Sequence, residues 1–148
     1  MLIGTWFGAG LSYFAPGTFG TLLALPFAWL LIWIGGHLFL LFFTIFLFFI
    51  GWWISNLIIK TTTDKDPQYI VIDEVVGVWL ALSLVPLSIT WFGLAFLLFR
   101  AADIWKFWPA SWIDRHWRGG FGIMADDIIA GIYAGMGTLL TILGAGFV

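Results

Sequence analysis

IDEVVGVWLALSLVPLSITWFGLAFLLFR, residues 72–100, is the stretch whose reading decides the fold. Two adjacent carboxylates, Asp73 and Glu74, stand before an uncharged run over residues 75–99 that Arg100 closes. Read as one straight helix, the run would hold Glu74 and Arg100 about 39 Å apart at the α-helical rise. Val85-Pro86-Leu87-Ser88 argues against that. Proline removes a helical hydrogen bond and disfavours helix at the residue before it, and Ser88 or Thr90 can cap a new helix. The stretch therefore predicts a hairpin of two short helices, of about 13 and 19 residues, either of which can be shallow or tilted. Glu74 lies twelve residues before Pro86 and Arg100 twelve after Ser88, so both stand about 18 Å from the turn and end level.

Working outward, the composition sets the class of protein. Of 148 residues, 62% are apolar and 9% charged, with 11 Trp and 16 Phe, and the mean hydropathy is +1.06. These values lie far from soluble averages and predict an integral membrane protein, one domain over residues 1–148. A net charge of −2 and a pI near 5.4 argue against nucleic acid as a partner. No cysteine means no disulfide framework, thiolate nucleophile or zinc ribbon. Residues 1–59 carry no Lys, Arg, Asp or Glu, so the basic region of a cleavable signal peptide is missing and the start of the chain is expected to be retained.

All six basic and eight acidic residues fall in two islands, 60–74 and 100–127, leaving residues 1–59, 75–99 and 128–148 uncharged. A span needs roughly 20 apolar residues, so the first stretch holds two, divided at the turn signal Gly35-Gly36-His37 into helices over about 18–34 and 38–59. The segment before Pro16-Gly17 is expected to be interfacial or re-entrant. Residues 109–125 are expected along the interface, with a last helix leaving at Asp126. The fold class is then all-α and polytopic, with about four to five transmembrane or half-spanning helices. Every ionisable side chain converges on one face, cytoplasmic by the positive-inside rule because the opposite loops carry no Lys or Arg.

That face gathers Asp66, Asp73, Glu74, Asp103, Asp114, Asp126 and Asp127 from three chain regions. Hard divalent cations such as Mg²⁺ take such oxygen ligands, with water and substrate phosphate completing the shell. Arg100, Lys106, Arg115 and Arg118 can hold phosphate. A plainer reading is that acidic residues sit at helix starts and basic ones at helix ends because the dipole favours them there. It accounts poorly for the doublets Asp73-Glu74 and Asp126-Asp127, whose repulsion calls for a cation. PGTFGTL, residues 16–22, offers Gly17 and a Thr18 cap whose open backbone amides suit an anion, or only a helix start. RGGFGIM, residues 118–124, reads as a lid or a turn, and the Gly131-xxx-Gly135 and Ala130-xxx-Ala134 spacings as close helix packing. His116 reads as a surface histidine, and His37 lies at the wrong end.

Carboxylates, a cation and Arg/Lys at headgroup depth suit phosphoryl chemistry on a lipid. The chain lacks the cysteine, the paired histidines and the Asp-Gly to Ala-Arg string of other lipid phosphate enzymes, leaving a metal-dependent hydrolase. PGTFGTL, DPQYIVIDEVVG (66–77), FRAADIWKFWP (99–109) and GGFGIMADDIIAG (119–131) together resemble the phosphatidylglycerophosphatase A family in order and spacing. One departure is Phe107, where the family has Pro after the lysine. The resemblance implies a Mg²⁺-dependent phosphatase of the bacterial inner membrane, acting on a phospholipid partner, phosphatidylglycerophosphate, to give phosphatidylglycerol. It also implies roles for Thr18, Asp66, Asp73, Glu74, Arg100, Asp103, Lys106, Asp126 and Asp127. Asp66, Asp73, Glu74, Asp126 and Asp127 are the expected metal ligands, with Asp103 as a further ligand or base. Arg100 and Lys106 are expected on the phosphate, with Gly17, Thr18 and Arg115 in substrate binding. A small transporter, or a non-catalytic lipid-binding subunit, are the rival readings, and a homo-oligomer stays open.

Overall fold

The computed structural model describes residues 3–11, 13–64, 67 and 69–146. After a short 3-10 turn at Ala9–Leu11 come α1 (Pro16–Thr61), α2 (Ile72–Leu82), α3 (Ile89–Trp105), α4 (Ala110–His116) and α5 (Gly120–Gly146). The described residues are all helix, turn or loop.

α1 is two arms. Gly36 breaks it with φ 82° and ψ −176°, a left-handed backbone that glycine adopts without Cβ strain. The contacts on either side show the chain running out and back. Gly20 in the first arm lies against Val71, and Gly51 in the second against Ile72 and Met124. At the turn, His37 Nε2 donates to the Val85 carbonyl at 2.7 Å, beside the loop that carries Pro86. The expected turn at Gly35-Gly36-His37 is where the structure has it.

The buried side of α1 is built from small residues: Gly17, Gly20, Thr21, Ala24, Ala28, Gly51 and Ser55 recur there. Ile32, Leu40 and Ile58 join them, while many of its large residues face outward, with Trp33 74%, Leu38 81% and Trp53 65% exposed. A soluble helix does the reverse. Small residues let backbones approach closely where no water drives association, and the outward Phe, Leu and Trp suit apolar surroundings. α1 and α5 are both long and apolar enough to cross a membrane.

The hairpin read at Pro86 is present as α2 and α3, of 11 and 17 residues. The backbone of α2 touches that of α5 at Gly77 and Gly131. A Cβ on Gly77 would collide with Phe99 and the Asp127 carbonyl, and one on Gly131 with the Gly77 carbonyl. Gly135 meets Ala81 one turn further on, so the spacing read as close packing is the α2–α5 seam. Trp79 crosses to α1, its indole donating to the Ala24 carbonyl at 2.9 Å. The N-terminal residues are tucked in: Val71 and Ile72 donate to Gly4, and Trp6 is buried edge-on to Trp79.

Two boundaries differ from expectation, and a third, at Ser88, agrees in place but lacks the side-chain cap. α1 begins at Pro16, after Ala15 in the left-handed region, so Thr18 is inside the helix and is not its cap. Ser88 is the N-cap position of α3, without a side-chain capping bond. α5 begins at Gly120 rather than Asp126, since the Gly120 amide is held by Asn56 Oδ1 at 2.8 Å; the glycine stretch is helix rather than a lid. Phe107 does not extend α3, because Lys106 takes the left-handed conformation and ends it.

Candidate active site

Four helix ends meet around a cavity of about 420 Å³. α1 contributes Pro16 and Gly17, α2 Asp73 and Glu74, the end of α3 Arg100, Asp103 and Lys106, and α5 Asp126 and Asp127. Tyr13, Ala15 and Ile70 complete the wall. The seam at Gly77 and Gly131 brings the α2 and α5 carboxylates together, because each pair stands about one turn from the point where the two backbones touch.

Glu74 is the hub on one side. Its Oε2 accepts from Thr21 Oγ1 at 3.1 Å and pairs with Arg100 Nη1 at 3.1 Å, and the same Nη1 pairs with Asp103. The Thr21 hydroxyl also reaches the Gly17 carbonyl at 2.7 Å, so its single proton is shared. A Cβ on Gly17 would land on the Glu74 carboxylate and push it aside. The first amides of α1, at Gly17 and Thr18, have no intrahelical acceptors and lie at the positive end of the helix beside the cavity.

On the other side, Lys106 Nζ sits between Asp114 Oδ1 at 2.8 Å and Asp126 Oδ2 at 3.0 Å. Burial acts to lower the Lys106 pKa, but the two carboxylates outweigh it and hold the ammonium above the usual lysine range. Asp73, Asp126 and Asp127 are 8%, 7% and 2% exposed. Asp127 Oδ2 is buried with no hydrogen-bond partner.

Of the residues expected in the site, Gly17, Asp73, Glu74, Arg100, Asp103, Lys106, Asp126 and Asp127 line this one cavity. Asp66 lies outside the described residues. The Thr18 side chain does not line the cavity; Thr21, one helical step on, is the hydroxyl that reaches a carboxylate. Arg115 is not there either. It bonds the Ser111 carbonyl through Nε and lines a second cavity with Arg118, because α4 turns it away from Lys106. Sequence reasoning missed Thr21, Tyr13 and the pairing of Asp114 with Lys106. Only Thr21 left a signal, its four-residue spacing from Gly17.

Asp126 and Asp127 stand in the second turn of α5, past the position where the helix dipole alone would favour them. Five carboxylates face two cations in this cavity. Among the described residues, no group of three acidic or histidine side chains is already arranged to hold a metal ion. The donor set nonetheless fits a hard divalent cation, which takes one or two carboxylates and fills its remaining positions with water and phosphate. The orphaned Asp127 oxygen, acceptor-only when ionised, calls for such a cation or a proton.

An all-helical, membrane-associated protein with a buried mixed-charge cavity at the end of its helices is the class that fold and site define. The phosphatidylglycerophosphatase A family profile matches residues 2–142. A protein of Escherichia coli (strain K12) named phosphatidylglycerophosphatase A is 39% identical, over 88% of this chain and 76% of its own length. One of the same name from Haemophilus influenzae is 41% identical, over 90% and 82%. A Bacteroides thetaiotaomicron protein named as a candidate phosphatidylinositol-3-phosphatase is also 41% identical, over 90% and 87%. No solved structure matches the chain. The chain belongs to the phosphatidylglycerophosphatase A family and is a phosphatase acting on phosphoric monoesters. The transporter and non-catalytic readings give way to that.

Proposed function

We propose that this enzyme is a Mg²⁺-dependent lipid phosphatase that removes the terminal phosphate of phosphatidylglycerophosphate to give phosphatidylglycerol. The observation that carries the reading is the cavity itself: five carboxylates and two cations from α2, α3 and α5, beside the start of α1 and at one end of an otherwise apolar bundle. A phosphate dianion would be repelled by that excess of carboxylate unless a divalent cation shared the site. Asp73, Glu74, Asp126 and Asp127 would hold the Mg²⁺, with Asp66 a further candidate. When bound, the ion would offset charge on the phosphoryl oxygens and polarise the phosphorus toward attack.

The protein's own groups do the rest. Arg100 and Lys106 are held facing the cavity by their carboxylate partners and neutralise the terminal phosphate. The Gly17 and Thr18 amides donate to a phosphate oxygen at the start of α1. Asp103 takes the proton of the attacking water as its oxygen bonds to phosphorus. The ester bond to the glycerol oxygen then breaks, that oxygen takes a proton from water and leaves as the alcohol, and Asp103 returns its own proton to solvent.

The chain is one domain over residues 1–148. With the arms of α1 counted separately, α2 and α3 as half-spans, and α5, it makes five transmembrane or half-spanning helices of the bacterial inner membrane. The cavity faces the cytoplasm, where the basic residues lie, so the acyl chains stay in the bilayer while the headgroup enters. The relatives named for phosphatidylglycerophosphate favour that headgroup over inositol.

The test is phosphate release by purified protein from phosphatidylglycerophosphate and from phosphatidylinositol 3-phosphate, each with Mg²⁺ and with chelator. The first lipid should turn over, stop on chelation and recover when Mg²⁺ is restored, and Asp73→Asn or Asp127→Asn should abolish it. Chelator-insensitive turnover would remove the metal from the proposal, and preference for the inositol lipid would remove the headgroup.

A further inference from the structure

The cavity lined by Arg115 and Arg118 is not part of the phosphatase pocket. Asp114 stands between the two, lining this second cavity while pairing with Lys106 of the first. It has a volume of about 440 Å³, with Trp117 and Ile123 in its wall. Trp117 also lines a neighbouring groove of about 390 Å³ along the second arm of α1 and α5, with Val76 and Leu80 of α2 in its lining. Leu41 and Phe49 mark its extent on α1, about 12 Å apart along the helix. The groove is apolar throughout: the hydroxyl of Thr44, its one polar side chain, is bonded to the Leu40 carbonyl at 2.8 Å.

Two arginines lining one cavity, and an apolar groove along two long apolar helices that shares Trp117 with it, match the two halves of one ligand. We propose that this is a second, non-catalytic lipid site, holding an anionic phospholipid with its phosphate on Arg115 and Arg118 and one acyl chain in the groove. Charge decides the class. The two arginines face a single carboxylate in the cavity lining, Asp114, already engaged by Lys106, so an anionic headgroup is favoured over a zwitterionic one. Trp112 and Trp117, half exposed around α4, have the amphipathic character that suits headgroup depth. A lipid here would share Asp114 with the catalytic lysine, tying the lipid surroundings of the enzyme to the setting of Lys106.

The proposal does not depend on the reaction and is tested without it. Protein is placed in nanodiscs of phosphatidylcholine containing phosphatidylglycerol, and the lipids it retains on release are counted by native mass spectrometry. Wild type should retain phosphatidylglycerol over phosphatidylcholine. The Arg115→Ala/Arg118→Ala variant should lose that preference by about tenfold. Arg115→Lys/Arg118→Lys should recover most of it, and Asp73→Asn, altered only in the phosphatase pocket, should retain it. Equal retention by wild type and the alanine variant would overturn the site, as would loss in Asp73→Asn alone, which would put the lipid in the catalytic cavity. Displacement of the lipid by inorganic phosphate would also overturn it, since the arginines would then hold a free anion with no help from the groove.

Discussion

Gly17→Ala separates the chemistry of the pocket from the stability of the fold. An added Cβ would fall 2.6 Å from Glu74 Oε2 and 2.8 Å from its carboxyl carbon, where ordinary contact begins near 3.4 Å. The nearest atom, Glu74 Oε1, is closer still, so the carboxylate must retreat by roughly an ångström, a shift large enough to matter in a preorganised site. Both of its bonds, to Thr21 and to Arg100, are already 3.1 Å long and end on the same oxygen, so one movement loosens both. A hydrogen bond to a charged group contributes about 1.5–3 kcal/mol, which puts the expected fall in kcat at about tenfold to a hundredfold. Stability should fall by less than the loosened bonds alone would give, because alanine is favoured over glycine in a helix by up to about 1 kcal/mol. The assay is phosphate release from phosphatidylglycerophosphate in detergent micelles, run beside thermal unfolding of the same samples. Wild-type kcat in a variant with an unchanged melting temperature would refute the placing of Glu74 in the reaction.

Two further outcomes follow from the same geometry. Arg100→Lys keeps a charge but loses the guanidinium that meets Glu74 and Asp103 at once, and kcat should fall by about a hundredfold with the protein still folded; full activity would show that a point charge suffices. Trp79→Phe removes the buried bond to the Ala24 carbonyl and should cost about 1–2 kcal/mol, read as a lower melting temperature, with turnover in the cold preserved. An unchanged melting temperature would mean that packing around the ring, rather than the bond, holds α1 to α2.

The hairpin of α2 and α3 was legible because Pro86 stands midway between charged residues and nothing charged intervenes. The same absence of charge over residues 1–59 made the two arms of α1 readable from one glycine pair. The level of the site followed from counting residues back from two turns. What stayed hidden depends on contacts between distant parts of the chain. Gly119-Gly120 reads locally as a turn, and only Asn56, 64 residues earlier, makes Gly120 the start of a helix. Thr18 and Thr21 look alike in sequence; which one meets a carboxylate depends on the face of α1 that packs on α2. Arg115 is close to Lys106 along the chain, yet the rotation of a two-turn helix decides which cavity it enters.

The Gly36 bend has a consequence for biogenesis. The end of the bundle remote from the phosphatase pocket holds this bend, the Pro86 loop and the C-terminal end of α5, and among the described residues there the ionisable side chain is His37, tied to a backbone carbonyl. Threading a fixed charge through hydrocarbon is the expensive event in inserting a polytopic chain. As two spans, the arms of α1 would enter as a pair joined at the tip, with no such event to drive.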